Sequence, residues 1–422
     1  MLKLNKYLEH DENMIWDIPS FLTLDDSVTK YDYITVYDDN HGTGDLSNAT
    51  EFSFTTDNED IFIVPANSFL LLKVQLRRAD NGQPYVGADA TVTIDCNAFN
   101  LFSQARLYIG DEEIERIDHV GISTLLYNLT KYNFSEVNSV RESQLVHTQK
   151  TFIRDYVAQC NRNVELLLPI RKMFNFFHQN RFSFRGVKHR IVLNLNDQNK
   201  IVTKWGDVPP ANGKATISSM IWKIPHVEPS LQMRAKLETM LAKNSSLNLK
   251  WIATNTFKFS PPRNTEIRIP IASSIHRPTH VFIAFQNANR ETDQEQSYMH
   301  FDHLNLTEVS VNIDSISFPD RAVKCDFANK HVNEAYLRFL DACEHGVTWE
   351  ESYRNFINQY PIFHIDVSRH PEELYENSRF PNIVINAKFN AAPAADYNMF
   401  VIVYNIREVN LNLENKKMRI TK

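Results

Sequence analysis

The sequence predicts an all-β protein of two tandem eight-stranded jelly rolls carrying short inserted helices. Three observations predict it. The chain has 422 residues, too long for one ordinary β-sandwich and about right for two. Its apolar residues come in short runs that alternate with polar ones and are bounded by Asn, Asp and Pro. The same order of strands, helix and strands occurs twice, at an offset of about 180–205 residues.

In the first half, residues 61–78 read as a strand pair around Pro65-Ala66-Asn67, with Leu72, Val74 and Leu76 alternating against Lys73, Gln75 and Arg77. Asp80-Asn81-Gly82 supplies a turn. Ala105, Leu107 and Ile109 share a face of the next strand, which Gly110-Asp111 closes. Ile122, Leu125, Leu126, Leu129 and Tyr132 then fall at helical spacing. Strands follow over Val164–Ile170, Val187–Asn196 and Ala215–Ile224.

The second half repeats these events. Val309 to Ser315 matches the Ala105 strand in alternation and turn position. One helical stripe runs through Ala335, Phe339 and Cys343, and another through Trp349, Tyr353, Phe356, Ile357 and Tyr360. Thr348 and Glu351 have the spacing of a capping box. Strands resume at Pro361–Val367, Ile383–Phe389 and Met399–Ile406, the last with Phe400, Ile402, Tyr404 and Ile406 on one face.

Between the halves, Ser230–Lys243 is a helix pattern carrying Leu231, Leu237, Met240 and Leu241, with Pro229 suited to its first turn. The expected division is therefore an acidic, turn-rich arm over 1–50 outside the barrel core, a first jelly roll over 51–228 and a linker helix over 229–247. A second jelly roll over 248–412 and a basic tail over 413–422 complete it. About eight short strands with a helix midway fit two four-stranded sheets packed face to face. Only 10 glycines are present, so Asn, Asp and Pro must make the turns.

Composition bounds the function. With 43% hydrophobic and 11% aromatic residues, each half can bury a core. The 45 Lys and Arg nearly balance 51 Asp and Glu, leaving no global basic field for nucleic acid. Met1 to Tyr7 lacks the apolar stretch of a signal peptide, and runs such as Phe69–Leu72 are far below the roughly 20 residues that span a bilayer. A soluble protein, not secreted by the usual route, is expected. Cys96, Cys160, Cys325 and Cys343 form no CxxC pair and read as free thiols of a reducing compartment. Five Asn-x-Ser/Thr sequons, at Asn48, Asn128, Asn133, Asn244 and Asn305, read as coincidence in an Asn-rich chain.

Specific residues also resemble a family. Ile63 to Val74, followed by Ala79-Asp80-Asn81-Gly82, is similar to the first strands of the double jelly-roll capsid proteins of Polinton (Maverick) elements and adintoviruses. The stretch Asn97 to Gly110 (NAFNLFSQARLYIG) resembles that family's N-x-x-LFSQ-V-x-V-x-L-N-G segment and is the most specific match. Ala105 and Arg106 stand where the family has valine and a polar residue, and Gly110-Asp111 replaces its Asn-Gly turn. Segments like Val164–Asn196, Ile217–Leu241 and Phe400–Val409 recur there in order, so the likeness spans about residues 60–410. The resemblance implies a viral major capsid protein, a homotrimer whose six jelly rolls form a pseudo-hexameric tile. Many such trimers, with a separate penton protein at the vertices, would enclose double-stranded DNA in an icosahedral shell. Two similar barrels repeated about a threefold axis suit closed symmetry, with contacts of about 2,000 Å² or more.

No nucleophile elbow, P-loop, dinucleotide fingerprint or HExxH occurs, and neither an enzymatic role nor a cofactor is expected. His276 and His280 are four apart, but Pro278 between them defeats a helical metal site. His300, Asp302 and His303 could clamp a metal but lack a further ligand cluster, so a surface turn or subunit contact is the simpler reading. Asp111-Glu112-Glu113 reads as a solvated loop. The tail residues Lys416, Lys417, Arg419 and Lys422 are either a solubilising end or an arm touching a neighbouring subunit or packaged DNA. Alternatives to the capsid subunit are a two-jelly-roll glycan hydrolase, which needs paired carboxylates in a cleft, a lectin-like binding protein, or a host-genome copy of the capsid gene.

Overall fold

Alternating segments become strands, and their pairing gives two β-sandwiches of one design. The structure, a computed structural model, describes residues 28–40, 46, 49–56, 62–85, 92–131, 143–145, 157–158, 160–181, 184–204, 211–243, 246–271, 275–314, 316–343, 352–368, 381–412 and 417–421.

The first half contains β1 (Val28–Tyr37), β2 (Glu51–Thr56), β3 (Phe62–Ile63), β4 (Phe69–Arg78), β5 (Val92–Ile94), β6 (Phe102–Ile109) and β7 (Glu112–Asp118). Helix α1 (Val120–Lys131) follows, then β8 (Asn163–Pro169), the short helices α2 (Ile170–Met173) and α3 (Asn175–Gln179), β9 (Phe184–Arg185) and β10 (His189–Leu195). Helix α4 (Gln198–Ile201), β11 (Val202–Lys204) and the long β12 (Gly213–Pro229) complete it. Helix α5 (Leu231–Lys243) leads to β13 (Ser246–Phe259), β14 (Glu266–Ile271), β15 (Pro278–Asn287), β16 (Leu306–Ile313) and β17 (Ile316–Lys324). Helices α6 (Asn333–Ala342) and α7 (Ser352–Asn358) precede β18 (Ile362–Asp366), β19 (Ile383–Phe389), β20 (Tyr397–Asn412) and β21 (Lys417–Thr421).

The second half pairs β13-β20-β15-β18 in one sheet and β14-β19-β16-β17 in the other. Its strands thus join first-eighth-third-sixth and second-seventh-fourth-fifth, the jelly-roll order. The first half has the same order, with β1-β12-β4-β8 facing β2-β10-β6-β7. In both halves helix is inserted between the fifth and sixth strands, α1 in the first and α6 and α7 in the second, while α2 and α3 follow the sixth strand of the first half and α4 its seventh. This is a double jelly roll with short helices. Its sandwich interiors are apolar: Phe52, Phe54, Trp222, Phe285 and Val401 are all essentially inaccessible.

One surface row shows how a sheet is made soluble on its outer side. Glu266, Lys388, Glu308 and Lys324 lie side by side across β14, β19, β16 and β17 in alternating sign. Opposite charges on neighbouring strands support pairing and keep that face wet.

Five expectations need correction. Residues 28–37 do not lie in a free arm: β1 pairs with β12 from Val28 opposite Pro229 to Tyr37 opposite Ile221. Residues 61–78 are not a hairpin, because β3 and β4 follow one another along the same edge of β12, separated by a turn of 3-10 helix at Pro65–Asn67. Pro229 ends β12, and α5 starts at Leu231 behind Ser230, whose Oγ accepts the Met233 N–H at 3.3 Å. Leu231, expected on an apolar stripe, is 88% exposed, while Met233 and Leu237 of the same helix are half-buried. Lastly, Lys417–Thr421 is no free tail but a strand, running antiparallel to β20 from Lys417 opposite Asn412 to Thr421 opposite Glu408. Tyr132, Thr348, Trp349 and Glu351 lie outside the described residues.

Candidate functional site: the seam between the barrels

The two barrels meet along a seam built by β7, α3 and the β5–β11 pair of the first and by β13 and the loop after β15 of the second. Its apolar centre is Phe176 against Trp251, ring centroids 5.1 Å apart and nearly perpendicular, both fully buried. Helix α3 hydrogen-bonds along β13: Asn175 Nδ2 donates to Thr254 Oγ1 at 2.6 Å, and Gln179 Oε1 accepts the Ile252 N–H at 3.0 Å.

Polar side chains from one barrel penetrate the other. Asp95, 1% exposed, takes Ser297 Oγ at 2.7 and 2.9 Å and the Met299 N–H at 3.2 Å. Gln294, equally hidden, accepts the Gly213 N–H at 2.7 Å and donates to the Gly213 carbonyl at 2.9 Å. Its backbone carbonyl accepts from Lys204 N at 2.7 Å. Glu291 bridges Lys200 of the first barrel at 3.0 Å and Lys258 of the second at 2.6 Å. Burial alone would raise the Glu291 carboxyl, but its bonds to Lys258 and Lys200 outweigh that and hold it below the usual carboxylate range.

Glu115 behaves differently. Burial pushes this β7 carboxyl up to about 7, even though Oε2 accepts the Phe176 N–H at 3.0 Å and Arg407 of the second barrel attracts it. A cleft of about 390 Å³ opens at one end of the seam, lined by Gln104, Asp118, His119, Phe257, Lys258 and Phe259 among others.

Asp95 and Glu291 are thus engaged in bonds between the barrels, whereas Glu115 accepts from Phe176 of its own barrel.

The residues singled out from sequence are distributed as follows. Lys417 and Arg419 stand opposite Asn412 and Asn410 in β21, which lies beside β7 and so borders the seam. Lys416 and Lys422 lie outside the described residues. His280 Nδ1 is 3.1 Å from His364 Nε2, while His276 offers its backbone carbonyl to Asn405 Nδ2 at 3.1 Å, so the two spaced histidines do not converge. Asp302 is held by Arg290 at 2.7 and 2.9 Å and by the Asn287 N–H. His303 stacks on Phe327 with centroids 4.3 Å apart, and His300 meets Tyr360 edge-on. Among the described residues no group of three or more His, Cys, Asp or Glu could hold a metal ion. Glu112 and Glu113 are not loop residues but open β7, where Tyr108 Oη donates to Glu113 at 2.8 Å. Asn128 of the second sequon is 1% exposed inside α1.

Asn97, first residue of the segment that carried the resemblance, has φ of 80° and donates from Nδ2 to the Gly121 carbonyl at 2.9 Å and to Thr124 Oγ1 at 2.8 Å. It therefore fixes α1 onto the entry to β6. Asp95, Glu115, Glu291 and Gln294 were missed from sequence, since each acts on partners far along the chain and leaves no local pattern.

A model of the double jelly roll-like domain matches residues 91–405. No curated protein matches the chain by sequence. Among solved structures, a chain of the Sputnik virophage aligns with a TM-score of 0.59 at 8% identity, covering 94% of this chain and 89% of that one. The Faustovirus major capsid protein aligns at 0.55 and 8% identity, covering 92% and 91%. The mavirus major capsid protein aligns at 0.52 and 10% identity, covering 92% and 90%. At such identities the likeness is one of fold. With its domain model matched over most of its length and both jelly rolls present in order, the chain belongs to the double jelly roll-like domain family.

Proposed function

We propose that the chain is a viral major capsid protein that assembles as a pseudo-hexameric homotrimer and tiles the icosahedral shell of a double-stranded DNA virus. The observation that carries this reading is the seam. Two barrels of one strand order are fastened side by side through buried polar bonds, which makes a single stiff tile rather than two tethered modules. The full-length fold likeness to capsid proteins supports it, and the segments around Asn97–Gly110 favour the Polinton and adintovirus lineage. A penton protein at the vertices is the implied partner, and the role is structural, not enzymatic. The hydrolase and lectin alternatives are less favoured because the fold likeness over nearly the whole chain is to capsid proteins. A host-genome copy of such a gene would encode the same tile.

Expressing the full chain and measuring its mass by light scattering, with electron microscopy of the product, tests the reading. A stable trimer or capsid-like particles are expected. A strict monomer that hydrolyses glycans would overturn it. For the C-terminal segment, Lys416, Lys417, Arg419 and Lys422 are proposed to contact a neighbouring subunit or packaged DNA. Deleting residues 415–422 should then lower particle yield, stability or DNA content, and no change in any of the three would dispose of that role.

A further inference from the structure

Two histidines of the second barrel are bonded ring to ring. His280 of β15 and His364 of β18 stand diagonally across one antiparallel pair, with Asp366 opposite His280 and Phe282 opposite His364. His280 Nδ1 lies 3.1 Å from His364 Nε2, and His364 Nδ1 lies 2.7 Å from the Arg338 carbonyl of α6. A carbonyl only accepts, so His364 Nδ1 carries the hydrogen and neutral His364 leaves Nε2 bare. His280 must then donate from Nδ1, and its own Nε2 carries none. The partners fix both tautomers.

The two rings take up protons with opposite results. A proton on His280 Nε2 leaves the bond between the rings in place and strengthens its donor. A proton on His364 goes only to Nε2, where it meets the Nδ1–H of His280, so donor faces donor and the bond is lost. The surroundings favour that order. The His280 side chain is 34% exposed and 3.9 Å from Asp366, whereas His364 is 5% exposed and stacked on Phe282 with centroids 4.8 Å apart. Burial holds both rings below the ordinary imidazole range, His364 at about 4. Lys131 of α1 opposes charge on His280, while Asp366 and Asp341 of α6 favour it on His364. Tyr404 of β20 meets His280 edge-on, and the Arg338 guanidinium is bound to Glu334.

Repulsion between two charged rings has one side that yields. Strand β15 is paired on both flanks, to β20 and β18, whereas β18 is the five-residue edge strand of its sheet and packs against α6. Helix α6 ends at Cys343, whose thiol reaches the Leu129 carbonyl of α1 in the first barrel at 3.7 Å. We infer that His280 and His364 form an acid-operated latch on the contact between α6 and α1, which stays shut with one proton and releases β18 and α6 when a second enters. The inserted helices of the two barrels then part while the central strands stay paired.

The test uses the full chain as wild type, His280→Gln and Asp366→Asn, between the ordinary imidazole value of 6.5 and pH 4. Opening is read from amide exchange across α6 and from labelling of Cys343 by a pyridyl disulfide, located by peptide mass spectrometry. In wild type, opening of α6 should grow about tenfold for each unit of acidification, one proton per opening, while β15 and β20 amides stay protected. The His280→Gln side chain takes no charge and turns its amide to suit either form of His364, so at pH 4 it should open about tenfold less than wild type. Equal acid responses in the two proteins overturn the latch. So does loss of β15 and β20 protection together with α6, which is unfolding of the whole barrel. Should His280→Gln not fold, Asp366→Asn decides. It removes the carboxylate that steadies the charged rings, so α6 should open about threefold more at each acid pH, and an unchanged response overturns the proposal.

Discussion

Ser297 Oγ sits 2.7 and 2.9 Å from the two oxygens of the Asp95 carboxylate, 202 residues away in sequence and in the other barrel. The pair is buried, so each group has replaced water with the other. Removing the hydroxyl leaves a carboxylate stripped of solvent and short of a donor. Ser297→Ala should cost about 1–3 kcal/mol. Asp95→Ala should cost similarly and uncouple the barrels, giving two transitions in calorimetry where wild type gives one. A single unshifted transition in both variants would show that the pair does not couple them.

Glu115 makes the seam respond to pH. Its folded value of about 7 lies above its ordinary 4.5, so protonated Glu115 suits the folded state. The stability this contributes is present below about 4.5, is lost as pH rises towards 7, and is absent above that. Glu115→Gln keeps an acceptor for the Phe176 N–H without the charge, and should stabilise the protein at pH 8 by on the order of 3 kcal/mol. Urea titrations of both proteins at pH 5 and pH 8 check this, with little difference expected at the lower pH.

Buried histidines act in the opposite direction. His119, His189 and His364 are each pushed down to about 4, chiefly by burial. Between pH 6.5 and 4 the unfolded chain takes up protons that these residues refuse in the fold, so stability falls on acidification through that window. With three histidines against one Glu115, the net slope should be destabilising towards acid. Replacing His189, enclosed by Phe177 and Phe184, with Gln should flatten it in thermal melts across that range.

Gly121 in α1 touches the Asn97–Gly110 segment closely. A Cβ there would lie 2.8 Å from Cα of Asn100, a backbone atom that cannot swing away. Gly121→Ala should destabilise by about 1–3 kcal/mol, despite alanine's better helix propensity. A rise in melting temperature would contradict the packing.

The parts legible in sequence were those whose signal is local. Alternation in Phe69–Arg78 and Ile383–Phe389 marked strands, and the Ile122, Leu125 and Leu126 stripe marked α1. Strand β1 escaped because its alternating tyrosines are exposed and acidic turn residues follow them, so no core face identifies it. Strand β21 escaped because five residues, two of them basic, carry too little pattern. The seam was illegible for a different reason: Asp95 and Ser297, or Lys200 and Glu291, become neighbours only after both barrels close.

Strand β20 occupies the middle of its sheet, hydrogen-bonded to β13 on one side and to β15 on the other. It is also the last of its barrel's eight strands to be synthesised. Until it arrives, β13 and β15 each present an unsatisfied inner edge, and β12 imposes the same wait on the first barrel. Synthesis order thus makes closure of each barrel an end-of-domain event. A chain stopped short of residue 397 would display two open edges at once, a template for aggregation rather than a smaller version of the protein.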